Sequence, residues 1–245
     1  LDNGTIALNG GILEISDDTT VASDIRHLND SKVIVDAGKT LTYNGDVLEI
    51  GDKSLNMSGG GEFFNTGSLK LNHEDSVLKL DGISKVEHVT FGENLTNGFL
   101  DVDQNSKIQT IFHTKSSKVD IADQKNLTLV NAFEIPQGQT MELMGSGGGT
   151  IEISDNITLS GIIKLNAENN ILSGGKLIFN DGLLDLDKDA SIKSKIMLSN
   201  NAEMDLSSGK KLSVTQPFEV PSNLKLEIAG TDGGSLSLSD TLKIK

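Results

Sequence analysis

Short runs of alternating apolar and polar residues, a sequence repeat of about 85 residues and the lack of any helical periodicity predict an all-β chain. The predicted fold is a single parallel β-helix, or β-solenoid, of about 11 or 12 coils. The alternation is plain in Ile151/Ile153, Ile157/Leu159, Ile163/Leu165 and Leu177/Phe179, where each apolar pair brackets one polar residue. Such runs are too short and too closely spaced for a crossover helix, and no sustained i, i+3, i+4, i+7 pattern interrupts them.

The repeat is read from residue offsets. Residues 127–159 and 212–244 align without a gap, so that Phe133-Glu134-Ile135-Pro136 meets Phe218-Glu219-Val220-Pro221 and Gly148-Gly149 meets Gly233-Gly234. Upstream, Gly98-Phe99-Leu100-Asp101-Val102-Asp103 meets Gly182-Leu183-Leu184-Asp185-Leu186-Asp187. A more diverged copy carries Gly11-Ile12-Leu13-Glu14-Ile15, Leu48-Glu49-Ile50 and Gly59-Gly60-Gly61. The copies are assigned to about 11–97, 98–181 and 182–245, the last one truncated, within one continuous solenoid over 1–245.

An antiparallel sandwich is the competing architecture. It calls for hairpin turns, an aromatic-rich core and linkers between copies, whereas aromatics are 4% here and the alternation runs on without a linker. At a spacing of ~4.8 Å between paired strands, the predicted coils stack into a rod about 55 Å long. Gly, Asn and Asp are then expected at the corners, where positive φ is needed.

Composition narrows the partners. A net charge of -14 and a pI near 4.6 disfavour nucleic acid, whose phosphates require clustered cations. Arg26 is the only arginine, so bidentate recognition of anions has little to work with. No apolar stretch is long enough to span a bilayer. There is no Cys, no Trp and a single Tyr (Tyr43), which leaves few aromatic platforms for sugars.

The most enzyme-like feature is the pair Asp101/Asp103 and its copy Asp185/Asp187, because solenoid lyases and glycosidases cluster carboxylates as acid, base or Ca²⁺ ligands. A catalytic set is normally unique, and these pairs recur. They are expected to be solvated Asp alternating with inward Leu and Val, with cation binding as the weaker reading. His27, His73, His88 and His113 are dispersed and show no metal-ligand or triad spacing. Gly145-Ser146-Gly147-Gly148-Gly149 lacks the Gly-Lys-Ser/Thr of a phosphate loop and reads as a turn. Asn-x-Ser/Thr triplets at Asn3, Asn29, Asn56, Asn94, Asn126 and Asn156 follow from a composition rich in those residues. Thr40-Leu41-Thr42 is the one Thr-x-Thr, too few for an ice-binding face. The expectation is therefore no catalytic residue and no cofactor.

The cadence Gly10-Gly11-Ile12-Leu13-Glu14-Ile15 and Gly148-Gly149-Thr150-Ile151-Glu152-Ile153 resembles the passenger domains of bacterial autotransporters and related filamentous surface adhesins. That resemblance implies a secreted β-helix on a bacterial surface, a non-catalytic stalk, adhesin or assembly subunit of a larger protein. Its implied partners are a host or neighbouring cell surface, or a second copy joined through end coils. A polysaccharide-acting β-helix of the lyase or tailspike kind, and a self-assembling filament or surface-layer subunit, are the alternatives.

Overall fold

The computed structural model describes residues 4–92, 98–145, 147–230 and 233–245. Two compact units divide the chain, Leu1–Lys118 and Val119–Lys245. Among the described residues there is no helix, and the parallel strands stack as a β-solenoid of about 11 turns.

The first unit contains β1 (Thr5–Asn9), β2 (Ile12–Ile15), β3 (Thr19–Val21), β4 (Asp24–Asn29), β5 (Ser31–Val35), β6 (Thr40–Tyr43), β7 (Val47–Ile50), β8 (Ser54–Ser58), β9 (Glu62–Asn65), β10 (Ser68–Leu71), β11 (Val77–Asp81), β12 (Lys85–Phe91), β13 (Gly98–Val102) and β14 (Ser106–His113). Its strands form three faces. The first face is the ladder β2-β5-β8-β11-β13 and the second is β3-β6-β9-β12-β14. The third holds β1-β4 as one piece and β7-β10-β12 as another, with the second half of β12 continuing onto β14.

The chain then continues through β15 (Ser117–Ile121), β16 (Asn126–Leu129), β17 (Phe133–Ile135), β18 (Thr140–Met144), β19 (Thr150–Leu159), β20 (Ile162–Leu165), β21 (Asn170–Phe179), β22 (Gly182–Leu186), β23 (Ala190–Ile192), β24 (Lys195–Leu198), β25 (Ala202–Leu206), β26 (Lys211–Val214), β27 (Phe218–Val220), β28 (Leu226–Gly230), β29 (Ser235–Leu238) and β30 (Leu242–Ile244). In the second unit the first face is β18-β20-β22-β25-β28 and the second is β16-β19-β21-β23-β26-β29. Its third face again comes in pieces, β17-β19-β21-β24 and β27-β30.

Register puts like on like. Leu55, Leu78 and Leu100 are successive partners on the first face of the first unit, and all are fully buried. Ile163, Leu184 and Met204 repeat this in the second unit. Each such side chain, moved from water to the core, contributes about 1.5–3 kcal/mol. The residues between them, such as Lys79 and Asp101 or Lys164 and Asp185, are partners on the outer surface. All eight apolar positions singled out above by their alternation are buried.

The recurrent glycine pairs close one corner. Gly60, Gly148 and Gly233 have φ of 81°, 78° and 90°, in the left-handed region where a side chain is strained. The glycine after each lies against the preceding coil. A Cβ on Gly61 would come within 2.5 Å of the Asp36 carbonyl oxygen, on Gly149 within 2.6 Å of that of Ile121, and on Gly234 within 2.7 Å of that of Leu206. Ser146, within the predicted Gly-Ser-Gly turn, Asn3 and the Asn94 triplet lie outside the described residues.

Candidate functional site

The recurring aspartates each grip a lysine. On the first face, alternation places Leu100 and Val102 in the core and turns Asp101 and Asp103 outward. Lys79, one coil earlier and in register with Asp101, sets its Nζ 3.1 Å from Asp101 Oδ2 and 2.5 Å from Asp103 Oδ2. These bonds, led by that to Asp103, hold the ammonium well above its ordinary pKa.

The second unit repeats the arrangement. Lys164 Nζ lies 3.3 Å from Asp185 Oδ2 and 2.7 Å from Asp187 Oδ2, and Ser207 Oγ donates to Asp187 Oδ1 at 2.9 Å. The two carboxylates diverge in response. Burial pushes Asp185 up, against the opposing pull of Lys164, while the bond from Lys164 pulls Asp187 down. The difference follows the geometry, because Asp187 makes the shorter contact and gains the hydroxyl. In both copies the cation between the carboxylates is the chain's own ammonium. Among the described residues no three of His, Cys, Asp and Glu come together as a metal site.

The histidines stay apart in role. His27 Nε2 donates to the Ser54 carbonyl at 3.1 Å, and burial lowers its pKa. The Asp75 N–H donates to His73 Nδ1 at 3.2 Å. The His88 ring lies tilted at 6.1 Å from that of Phe112, which is 49% exposed. His113 is different, because it is an inward member of the third face, following Ile50, Leu71 and Phe91 in register. Its Nε2 is 2.8 Å from Ser117 Oγ, and burial lowers its pKa to about 4. Both side chains are in the core, at 4% and 1% exposure, which denies this Ser–His contact a substrate. Sequence spacing did not reveal the pair. The available signal was a histidine at an apolar beat of the alternation, where the third copy has Leu198, with Ala202 in the place of Ser117.

Two surface features were also missed. Asp181, Glu203, Lys225 and Glu227 line a recess of about 280 Å³ at one edge of the first face. Glu203 and Glu227 are register partners, and Lys225 is ion-paired to Glu227. Glu203 has no acidic counterpart 85 residues earlier, where Lys118 stands, whereas Glu227 repeats Glu142. On the third face a groove of about 370 Å³ lies between β24 and β27, lined among others by Lys195, Met197, Phe218, Glu219 and Lys243. In the first unit, recesses of about 200 and 360 Å³ flank β4 and β7 and share Ile25, Arg26 and Val47.

No known protein family, no curated protein and no solved structure matches the chain.

Proposed function

We propose that this chain is a structural or adhesive segment of a larger bacterial surface protein, displayed outside the cell and acting without catalysis. The observation that carries the reading is the repetition of the polar surface along with the backbone. Lys79 with Asp101 and Asp103, and Lys164 with Asp185 and Asp187, are the same outward triad in two copies, closed on itself by ion pairs. A surface built this way serves to keep a long core soluble and in register. The texture shared with autotransporter passengers and filamentous adhesins points the same way. The partner in this reading is a host or neighbouring cell surface.

Binding of the purified, fluorescently labelled chain to bacterial and epithelial cells tests the proposal. Saturable binding without release of sugar from a glycan panel supports it, and release of oligosaccharides overturns it.

A second reading has one observation in its favour. The recess of Asp181, Glu203 and Glu227, in which Glu203 has no acidic counterpart in the preceding copy, offers carboxylates to a polysaccharide. Under that reading Glu203→Gln abolishes oligosaccharide release, whereas under the first there is none to abolish. Self-association of copies is the third. Light scattering that grows with concentration is its signature.

A further inference from the structure

One of the three ladders is interrupted inside each unit, at equivalent points of the repeat. In the second unit β24 is hydrogen-bonded to β21 and β27 to β30, yet the neighbouring strands β24 and β27 share no ladder. In the first unit β4 pairs with β1 and β7 with β10, and β4 and β7 share none. The strands that begin after these breaks are Leu48-Glu49-Ile50 and Phe218-Glu219-Val220, which are the same segment in the first and third copies. The other two faces continue without interruption past both points, through β5-β8 and β6-β9 and through β25-β28 and β26-β29.

The cause in the second unit is legible in backbone chemistry. Phe218 N–H donates to the Thr241 carbonyl and the Val220 carbonyl accepts from Lys245 N–H, so residues 218 and 220 point their amides at β30. In a parallel strand the direction alternates, which turns residues 217, 219 and 221 toward β24. Two of those three are Pro217 and Pro221, which have no N–H to give. All three prolines of the chain belong to this segment, since Pro136 follows Phe133-Glu134-Ile135 as Pro221 follows Phe218-Glu219-Val220. In the first unit the Ile25 N–H, on β4, donates to the Tyr43 hydroxyl at 3.4 Å.

We propose that the break between β24 and β27 is an opening line, along which the third face parts and recloses while the first and second faces hold the coils together. Ile196 and Phe218 flank the groove and are only 2% and 5% exposed, so parting uncovers core side chains. An extended segment under load or thermal agitation yields first where a rung of hydrogen bonding is missing. This inference rests on the geometry of the second unit alone, and its failure would leave the surface role untouched.

Thiol labelling of the intact 245-residue chain reads the opening directly, because the chain has no native cysteine. Ile196→Cys places a thiol beneath the break, and Ile192→Cys places one beneath the uninterrupted second face, where β23 is paired on both sides. The expected result is labelling of the thiol at 196 at least about 10-fold faster than at 192. Pro217→Val with Pro221→Val, which restores both missing donors, is expected to remove most of that difference. Equal labelling rates at the two positions overturn the proposal. So does a difference that persists undiminished in a folded double valine variant. Should a variant fail to fold, Phe218→Cys and Leu212→Cys repeat the comparison, the first at the groove and the second on the second face, where β26 is paired on both sides. Faster labelling at 218 supports the opening line, and equal rates refute it.

Discussion

His113 and Ser117 form the one buried side-chain pair of a histidine with a hydroxyl among the described residues, with Nε2 and Oγ 2.8 Å apart and no partner for His113 Nδ1. The ring lies tilted against that of Phe91 at a centroid distance of 5.7 Å, in a row otherwise made of Ile50, Leu71 and Phe91. No neighbouring charge contributes to its shift, which comes first from burial and is only partly offset by the nearness of the ring to its own backbone. The row is an apolar scaffold carrying one titratable member.

That member makes stability pH-dependent. The folded pKa of about 4 lies below the ordinary 6.5, so between these values the unfolded chain takes up a proton that the folded chain refuses. The His113 contribution is complete above about pH 6.5, is lost progressively as the pH falls to 4, and changes no further below that. The size is on the order of 3 kcal/mol. Urea melts at pH 7.5 and 4.5 are expected to show this loss in the wild-type chain, and His113→Leu with Ser117→Ala to lack most of it. Retention of the full pH dependence in the double variant would exclude His113 as its source.

The same double substitution tests whether the pair is needed for folding. The third copy places Leu198 and Ala202 at these positions, so the fold accommodates the apolar version. Replacing a buried polar pair whose Nδ1 is unsatisfied with side chains of that kind is expected to raise stability at pH 7 by about 1 kcal/mol. Thermal unfolding checks the sign.

How much of this was legible in the sequence follows from what repeats. The strands, the inward rows such as Ile163 and Leu184, and the glycine corners recur, and recurrence exposes them to an offset search. The ion pairs of Lys79 and Lys164 were not legible, because their partners lie one coil away and the exact register depends on coil lengths that vary. Register partners are separated by 20 residues at Leu184 and Met204 and by 24 at Met204 and Ile228. The broken third face escaped for a related reason. A proline reads locally as a strand end, and only the direction of the amides at Phe218 and Val220 shows which neighbour is lost.

Lys164 is the test of the acidic clamp. Its side chain is 31% exposed, so the pairs are partly screened, but its removal leaves Asp185 and Asp187 together with Asp205 in register behind them. Lys164→Met is expected to destabilise the second unit by about 1–2 kcal/mol at pH 7. Protonation of the carboxylates relieves their repulsion, so the difference from wild type should narrow toward pH 4. A deficit that is constant across that range would mean that packing of the lysine stem, rather than charge, is what was lost.

The glycine corner yields the sharpest comparison, because three substitutions of the same size meet different surroundings. Gly11→Ala faces open space without a left-handed φ, and no change beyond about 0.5 kcal/mol is expected. Gly38→Ala also faces open space but at a φ of 75°, so it incurs only the backbone strain, about 1–2 kcal/mol. Gly61→Ala drives a methyl to 2.5 Å from the Asp36 carbonyl oxygen and 2.7 Å from that of Lys39, both of them backbone atoms that move only if the preceding coil moves. It should lose at least about 2–3 kcal/mol, the largest of the three. All three lie in the first unit, so one denaturation series ranks them on a common scale. If Gly61→Ala proves as mild as Gly11→Ala, then close stacking of that corner on the coil beneath is not what requires glycine there.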